Sequence, residues 1–304
     1  MFLRSALRFA TLTLILAVAS ACQKAALNTV ATAPTPPVQA SNNKGVNTMS
    51  DLIQKVLAKD PTATLDARQA GPSAAESLMN LTANEDEVVR ELALRCLFET
   101  GRQGLAPTFA RFLTDESGSV RGAALAGVSK YLDPSVSQQL FIAFDKSGEL
   151  PEMREQIALL IGRIEAADAN ELRARLKGES DQLVRDGLIA ALAKLGDEHI
   201  RANFVDNLRN AKGDRLKRHL DYADYINQEW AAKALGPVLL DKTPLIRIGI
   251  DGLPDLGPGN LRACDIAVNL IAKIMKKTFS FPVDKKTQYN DQQLQEVRNS
   301  VSSK

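Results

Sequence analysis

The chain has 304 residues, 45% of them hydrophobic but only 5% aromatic, with 18 Gly and 13 Pro, a mixture that excludes collagen-like, coiled-coil and wholly disordered proteins. Its formal charge is +2; residues 1–21 hold Arg4 and Arg8 and no acid, so the remainder balances 36 basic against 36 acidic side chains. A balanced chain has no global field to draw in nucleic acid or an anionic membrane face.

Met1 to Ala21 reads MFLRSALRFATLTLILAVASA: two arginines, then an apolar run that closes on small side chains. That is the pattern of a secretory signal peptide, too short for a membrane-spanning helix. Cys22 follows, and Ala19-Ser20-Ala21-Cys22 resembles the lipobox of bacterial lipoproteins, which implies lipidation of the Cys22 sulfur and cleavage before it. The string departs from the usual pattern at Ala19, where Leu is commonest. Residues 22–49 are rich in Ala, Thr, Pro, Asn and Ser with almost no charge, which predicts a disordered tether reaching on the order of 30 Å. Gln23, where an Asp would signal inner-membrane retention, points by the same resemblance to the outer membrane, facing the periplasm.

From residue 84 a phrase returns: NEDEVVRELALRCLFETG, ESGSVRGAALAGVSKYLD, ELPEMREQIALLIGRIEA and ESDQLVRDGLIAALAKLG. Its anchors are Arg90, Arg121, Arg154 and Arg185, and the register continues to Lys217 and Arg247. Spacings of 30 to 33 residues make this a repeat array. Taking each anchor as zero, positions −1, +3 and +7 are mostly aliphatic, a single stripe at helical period. Asp86, Ser117, Asp181 and Thr243 stand four before their anchors as N-caps. A shorter helix precedes each of these, over 105–113, 137–144, 169–176, 199–208 and 230–239.

The cap, apolar residue, Arg and small-aliphatic phrase resembles short bacterial HEAT-like repeats related to those of phycobilisome lyases, over residues 72–257. The resemblance implies an all-α solenoid of about six helix pairs spanning residues 50–304, with the anchoring Arg row forming a ladder between repeats. The string Arg262-Ala263-Cys264-Asp265-Ile266-Ala267-Val268 resembles the closing segment of many such proteins, a terminal helix covering the last repeat. Helices at 51–58 and 291–301 complete the ends.

His199 and His219 lack partners at zinc-ligand spacing, and HExxH, CxxC, GxSxG and phosphate-loop motifs do not occur. Gly257-Pro258-Gly259-Asn260 follows no predicted strand and reads as a turn. Cys96 and Cys264 read as buried free thiols, too far apart along the array to bridge. No catalytic, cofactor-binding or metal-binding constellation is expected, and the chain does not read as an enzyme. The fifth unit departs from its template: Arg218, Tyr222 and Tyr225 fall at its outward offsets +1, +5 and +8, and Trp230 opens the next helix. These residue types mark binding hot spots; the alternative is that they fill a gap between unequal helices. The expectation is a scaffold that is tethered to the membrane through Cys22 and binds another envelope protein around these four residues, with no nucleic-acid partner. A HEAT-fold enzyme or ligand-handling protein of the lyase kind, or an immunity-type lipoprotein that neutralises a toxin, is the rival reading.

Overall fold

The computed structural model describes residues 49–148, 150–165, 167–247 and 260–302. The signal peptide, Cys22, the tether up to residue 48 and the turn at 257–259 lie outside the described residues. The described chain is predominantly helical and divides into two compact units after Lys146.

In the first unit, α1 (Met49–Leu57), α2 (Ala63–Ala70) and α3 (Ala75–Leu81) precede α4 (Glu87–Glu99). Then come α5 (Ala106–Ala110), which runs into a 3-10 turn at Arg111–Thr114, α6 (Gly118–Tyr131) and α7 (Ser137–Lys146). The predicted stripe is the core: Val89, Ala93 and Leu97 on α4, and Val120, Ala124 and Val128 on α6, are all buried. Asp86 caps α4 by accepting the Val88 N–H at 2.9 Å. α4 packs against α6, and α2, α3 and α5 flank them. The close approach needs Gly127: a Cβ there would stand 2.1 Å from the Phe109 ring, which itself stacks on Tyr131 at 5.8 Å.

The second unit repeats the scheme with α8 (Pro151–Ile161), α9 (Ala169–Gly178), α10 (Gln182–Lys194), α11 (Glu198–Asn210), α12 (Gly213–Ile226) and α13 (Glu229–Ala234), the last extended by a 3-10 turn at Gly236–Leu240. The longer helices α8, α10 and α12 lie side by side in that order, with α9 and α11 against α10.

The sixth anchor is where the sequence register misplaces a helix. Residues 243–254 read as a second helix around Arg247, but Pro244–Arg247 is a strand, β1, paired antiparallel with β2 (Asn260–Arg262). Ile246 is β-branched, which suits extended backbone; the rest of that reading, residues 248–254, lies outside the described residues. The extended entrance also supplies acceptors. The carbonyls of Asp241 and Thr243 accept the N–H groups of Cys264 and Ala263 at 2.9 Å, satisfying donors that open α14 (Ala263–Met275). α14 packs on α12 and α13 and so serves as the second helix of that pair.

α14 is also the cap. Asp265, fully buried, takes the Arg262 guanidinium at 2.8 and 2.9 Å, the Arg262 N–H at 3.0 Å and the Tyr289 N–H at 2.9 Å. Burial opposes ionisation of this carboxyl, and those donors more than offset it, holding its pKa below the ordinary value. Tyr289, 1% exposed, and α15 (Asp291–Ser302) are thereby bound to the helix stack.

The anchoring arginines form a ladder in a particular way. Arg90 grips the Asp115 carboxylate through two nitrogens at 3.0 Å, while Arg121 donates to the Asp115 main-chain carbonyl at 2.7 Å. In the second unit Arg154 pairs with the Glu179 carboxylate and Arg185 donates to the Glu179 carbonyl at 2.9 Å. Each interhelix acid is thus held by its side chain from the preceding repeat and by its backbone from its own. Lys217 leaves the row and pairs with exposed Asp221 at 2.9 Å. Gly127→Ala should force the Phe109 ring aside and cost about 2 kcal/mol by overpacking, read from the denaturation midpoint at unchanged slope; an unchanged midpoint would show that the two helices have room to part.

Candidate functional site

Of the four residues expected to form a docking face, Tyr222 is buried, only 2% exposed, and Arg218, Tyr225 and Trp230 are half-buried. From α12 the Tyr222 hydroxyl donates to Glu155 at 2.5 Å, and the Tyr225 hydroxyl donates to the Leu159 carbonyl at 2.8 Å. Both acceptors belong to α8, so the tyrosines cross α10 to reach the repeat before it. Small residues on α10 and at the end of α8 make the crossing feasible. A Cβ on Gly187 would come within 2.8 Å of the Glu155 side chain, and one on Gly162 within 2.3 Å of the Tyr225 hydroxyl. Asp186, Ala190 and Ala193, the outward offsets of α10, are accordingly buried. In the first unit the equivalent Gly122, Ala126 and Ser129 remain half-buried.

Trp230 stands apart from the two tyrosines. Its ring meets Phe204 edge-on at 5.8 Å, lies 5.4 Å from the Arg201 guanidinium, and donates its N–H to Gln228 at 2.6 Å. Phe204 packs 6.0 Å from His219, and His219 packs 5.6 Å from Tyr222. The aromatic cluster is a thread through the core, as the gap-filling alternative has it, and an outward-facing Tyr222–Tyr225 pair is corrected on this geometry. Arg218 remains half-buried, close enough to Glu155 to influence its ionisation.

Around the tyrosines lies a polar cluster that periodicity does not reveal. Asp186, 1% exposed, accepts Arg215 through two bonds at 3.0 and 3.1 Å, Gln182 at 2.8 Å and Asn207 at 3.4 Å. His219, equally buried, shares a hydrogen bond with the Arg215 carbonyl at 2.9 Å, and burial holds its pKa below the ordinary imidazole value. Burial pushes the Glu155 carboxyl above its ordinary value, against the downward pull of the Tyr222 hydroxyl and the Arg218 charge. An acid followed by glycine in Asp186-Gly187, inside an otherwise aliphatic helix, is the one sequence sign of this arrangement.

Two surface grooves are present in the second unit, the second of them lined by the cluster's Gln182, Asn207 and Arg215. One, of about 490 Å³, is lined by Leu208, Leu216, Val238 and Leu240, with Lys212 and Lys242 among its polar residues. Leu240 is 63% exposed there. The other, of about 330 Å³, is polar and is lined by Gln182, Arg185, Asn203, Asp206, Asn207 and Arg215 around the buried Ile189. Cys96 and Cys264 are buried free thiols, pushed by burial up to about 12 and about 11. Among the described residues no three His, Cys, Asp or Glu side chains gather as a metal ion would require. No protein-family model and no characterised protein matches the chain.

Two outcomes follow from the cluster. Replacing Tyr222 and Tyr225 together by Ala removes one buried and one half-buried ring and two hydrogen bonds, so the second unit should lose stability by about 3 kcal/mol. A denaturation midpoint unchanged from wild type would instead place the rings at the surface. Glu155 has a raised folded-state pKa, so the stability tied to its neutral form is full below the ordinary carboxyl value and lost as pH rises through the folded one. Glu155→Gln keeps an acceptor for Tyr222 and removes that ionisation. Its melting temperature should match wild type near about pH 4 and exceed it near about pH 8, as followed by calorimetry; a constant offset would show that Glu155 does not titrate with folding.

Proposed function

We propose that this chain is a lipid-anchored envelope protein whose HEAT-like helical repeats serve as an interaction scaffold for another envelope protein. The basic, apolar and small-residue order of residues 1–21 before Cys22, and the sparsely charged tether after it, support the anchor. A solenoid-like stack of helix pairs supports the scaffold, because each repeat spends its apolar stripe on its neighbours and leaves loop edges and grooves to bind. The observation that carries the reading is the larger groove, in which Leu240 is 63% exposed alongside the buried Leu208, Leu216 and Val238. A large aliphatic side chain left in water at a groove is a contact that a partner would desolvate. The tyrosine pair is set aside as the contact, since its area and hydroxyls are already used within the fold.

The test has two arms. Cys22→Ala should shift the protein from the membrane to the soluble fraction of the envelope; unchanged partitioning would overturn the anchor. A photo-cross-linking residue at Leu240 should give a discrete adduct with one envelope protein, and the same residue at exposed Leu65 in the first unit should not. Equal labelling at both positions would overturn the groove as the contact.

A further inference from the structure

We infer that the polar groove at Arg185 receives an acidic side chain of a partner protein, the counterpart in trans of the carboxylates that Arg90 and Arg154 receive from this chain. The inference rests on the scaffold reading and names the chemistry of the contact. In the ladder, the acid lies 25 residues after the arginine, as Asp115 does for Arg90 and Glu179 for Arg154. The same loop after Arg185 reads Asn210-Ala211-Lys212 and supplies no acid. Arg185 accordingly donates, among the described residues, only to the main-chain carbonyls of Glu179 at 2.9 Å and Leu176 at 3.4 Å. Among the described residues it forms no ion pair with a carboxylate, in contrast to Arg90 and Arg154.

Arg121 likewise makes no ion pair among the described residues, Lys146 standing 25 residues on, but Arg121 does not line either groove. Arg185 does, and a second guanidinium lines the same groove. Arg215 spends Nε and Nη2 on Asp186 and is held rigid by that bidentate bond, while its side chain stays 36% exposed and its Nη1 makes no hydrogen bond among the described residues. Asn203, exposed, and Asn207 add amide donors. The opposing charge in the lining is Asp206, 69% exposed and 3.9 Å from Arg209. A carboxylate between two guanidiniums gains charge-assisted hydrogen bonds without ordering either cation anew, because both are already tied to the backbone or to Asp186. The volume of about 330 Å³ sits at the low end for small-molecule pockets, and only Ile189 supplies apolar lining, so the groove suits a side chain projecting from a protein rather than a buried metabolite.

The full chain in detergent is titrated against dye-labelled acetyl-hexaglutamate amide at low ionic strength, with the hexaglutamine peptide as control, by fluorescence anisotropy. Hexaglutamate should bind about tenfold tighter than hexaglutamine. Arg185→Gln should weaken it by about fivefold or more, and Arg95→Gln, which removes an exposed cation of the first unit, should leave it within about twofold. Arg185→Lys keeps the charge and a donor for the Glu179 carbonyl but not the fork, and should weaken binding by about threefold with the melting temperature unchanged. It decides the matter if the Gln variant is unstable. Wild-type affinity in Arg185→Lys and Arg185→Gln, equal loss in Arg95→Gln, no hexaglutamate binding at all, or displacement of the peptide by an equimolar amount of free glutarate would each overturn the proposal. The Leu240 adduct is read separately: if it forms while hexaglutamate does not bind, the carboxylate receptor falls and the scaffold stands.

Discussion

The fold depends on how one acidic residue is held from two sides. Apolar stripes that recur from repeat to repeat set the spacing of neighbouring helices but distinguish less sharply between one register and the next. Asp115 and Glu179 remove that ambiguity. Each gives its carboxylate to the arginine of the preceding repeat and its main-chain carbonyl to the arginine of its own. Each also accepts an N–H from the residue two ahead, Ser117 or Asp181, which opens the following helix. One loop residue therefore fixes the register to the neighbour, the entry of the next helix and the position of the next guanidinium. Single exposed pairs contribute little, but the Arg90 and Asp115 side chains are 9% and 11% exposed, where a bidentate bond resists both solvent and salt.

A second constraint governs the second unit. Gly162, Gly187, Ala190 and Ala191 leave a shallow surface over α10, and Tyr222 and Tyr225 cross it to α8. The helix face that in other repeats stands half in water is consumed by contact between repeats two apart. This reaches further than nearest-neighbour stacking and leaves Asp186 buried and Glu155 half-buried, each with its donors. The concave surfaces that remain are the apolar groove at the 211–212 and 241–243 loops and the polar groove between α10, α11 and the start of α12.

The end of the array obeys the same logic of satisfied donors. An open stack exposes the apolar side of its last helix, and α14 covers α12 and α13 there. Its own first N–H groups are met by Asp265 and by the carbonyls of an extended strand entrance. The pairing of β1 with β2 and these carbonyl bonds thus fix where the last helix begins.

The period of 31 to 33 residues, the cap acids, the aliphatic stripe and the terminal Arg262–Asp265 string were all legible in the sequence, because each rests on local chemistry repeated in register. Helix starts at Glu87, Gly118 and Gln182 fall directly after residues chosen as caps for their side chains alone. Cys96 and Cys264 were readable as buried for the same reason, lying on the inner side of periodic helices. What helical period does not encode is which face of a second helix meets water, since that is set by a neighbour two repeats away. Tyr222 at offset +5 has the spacing of a surface residue and becomes interior only because Gly187 and Ala190 lower the intervening helix enough for its hydroxyl to reach Glu155. The partner of Asp186, the strand at Pro244–Arg247 and the unmatched guanidinium of Arg185 were likewise decided by tertiary structure, through contacts between residues that no local pattern connects.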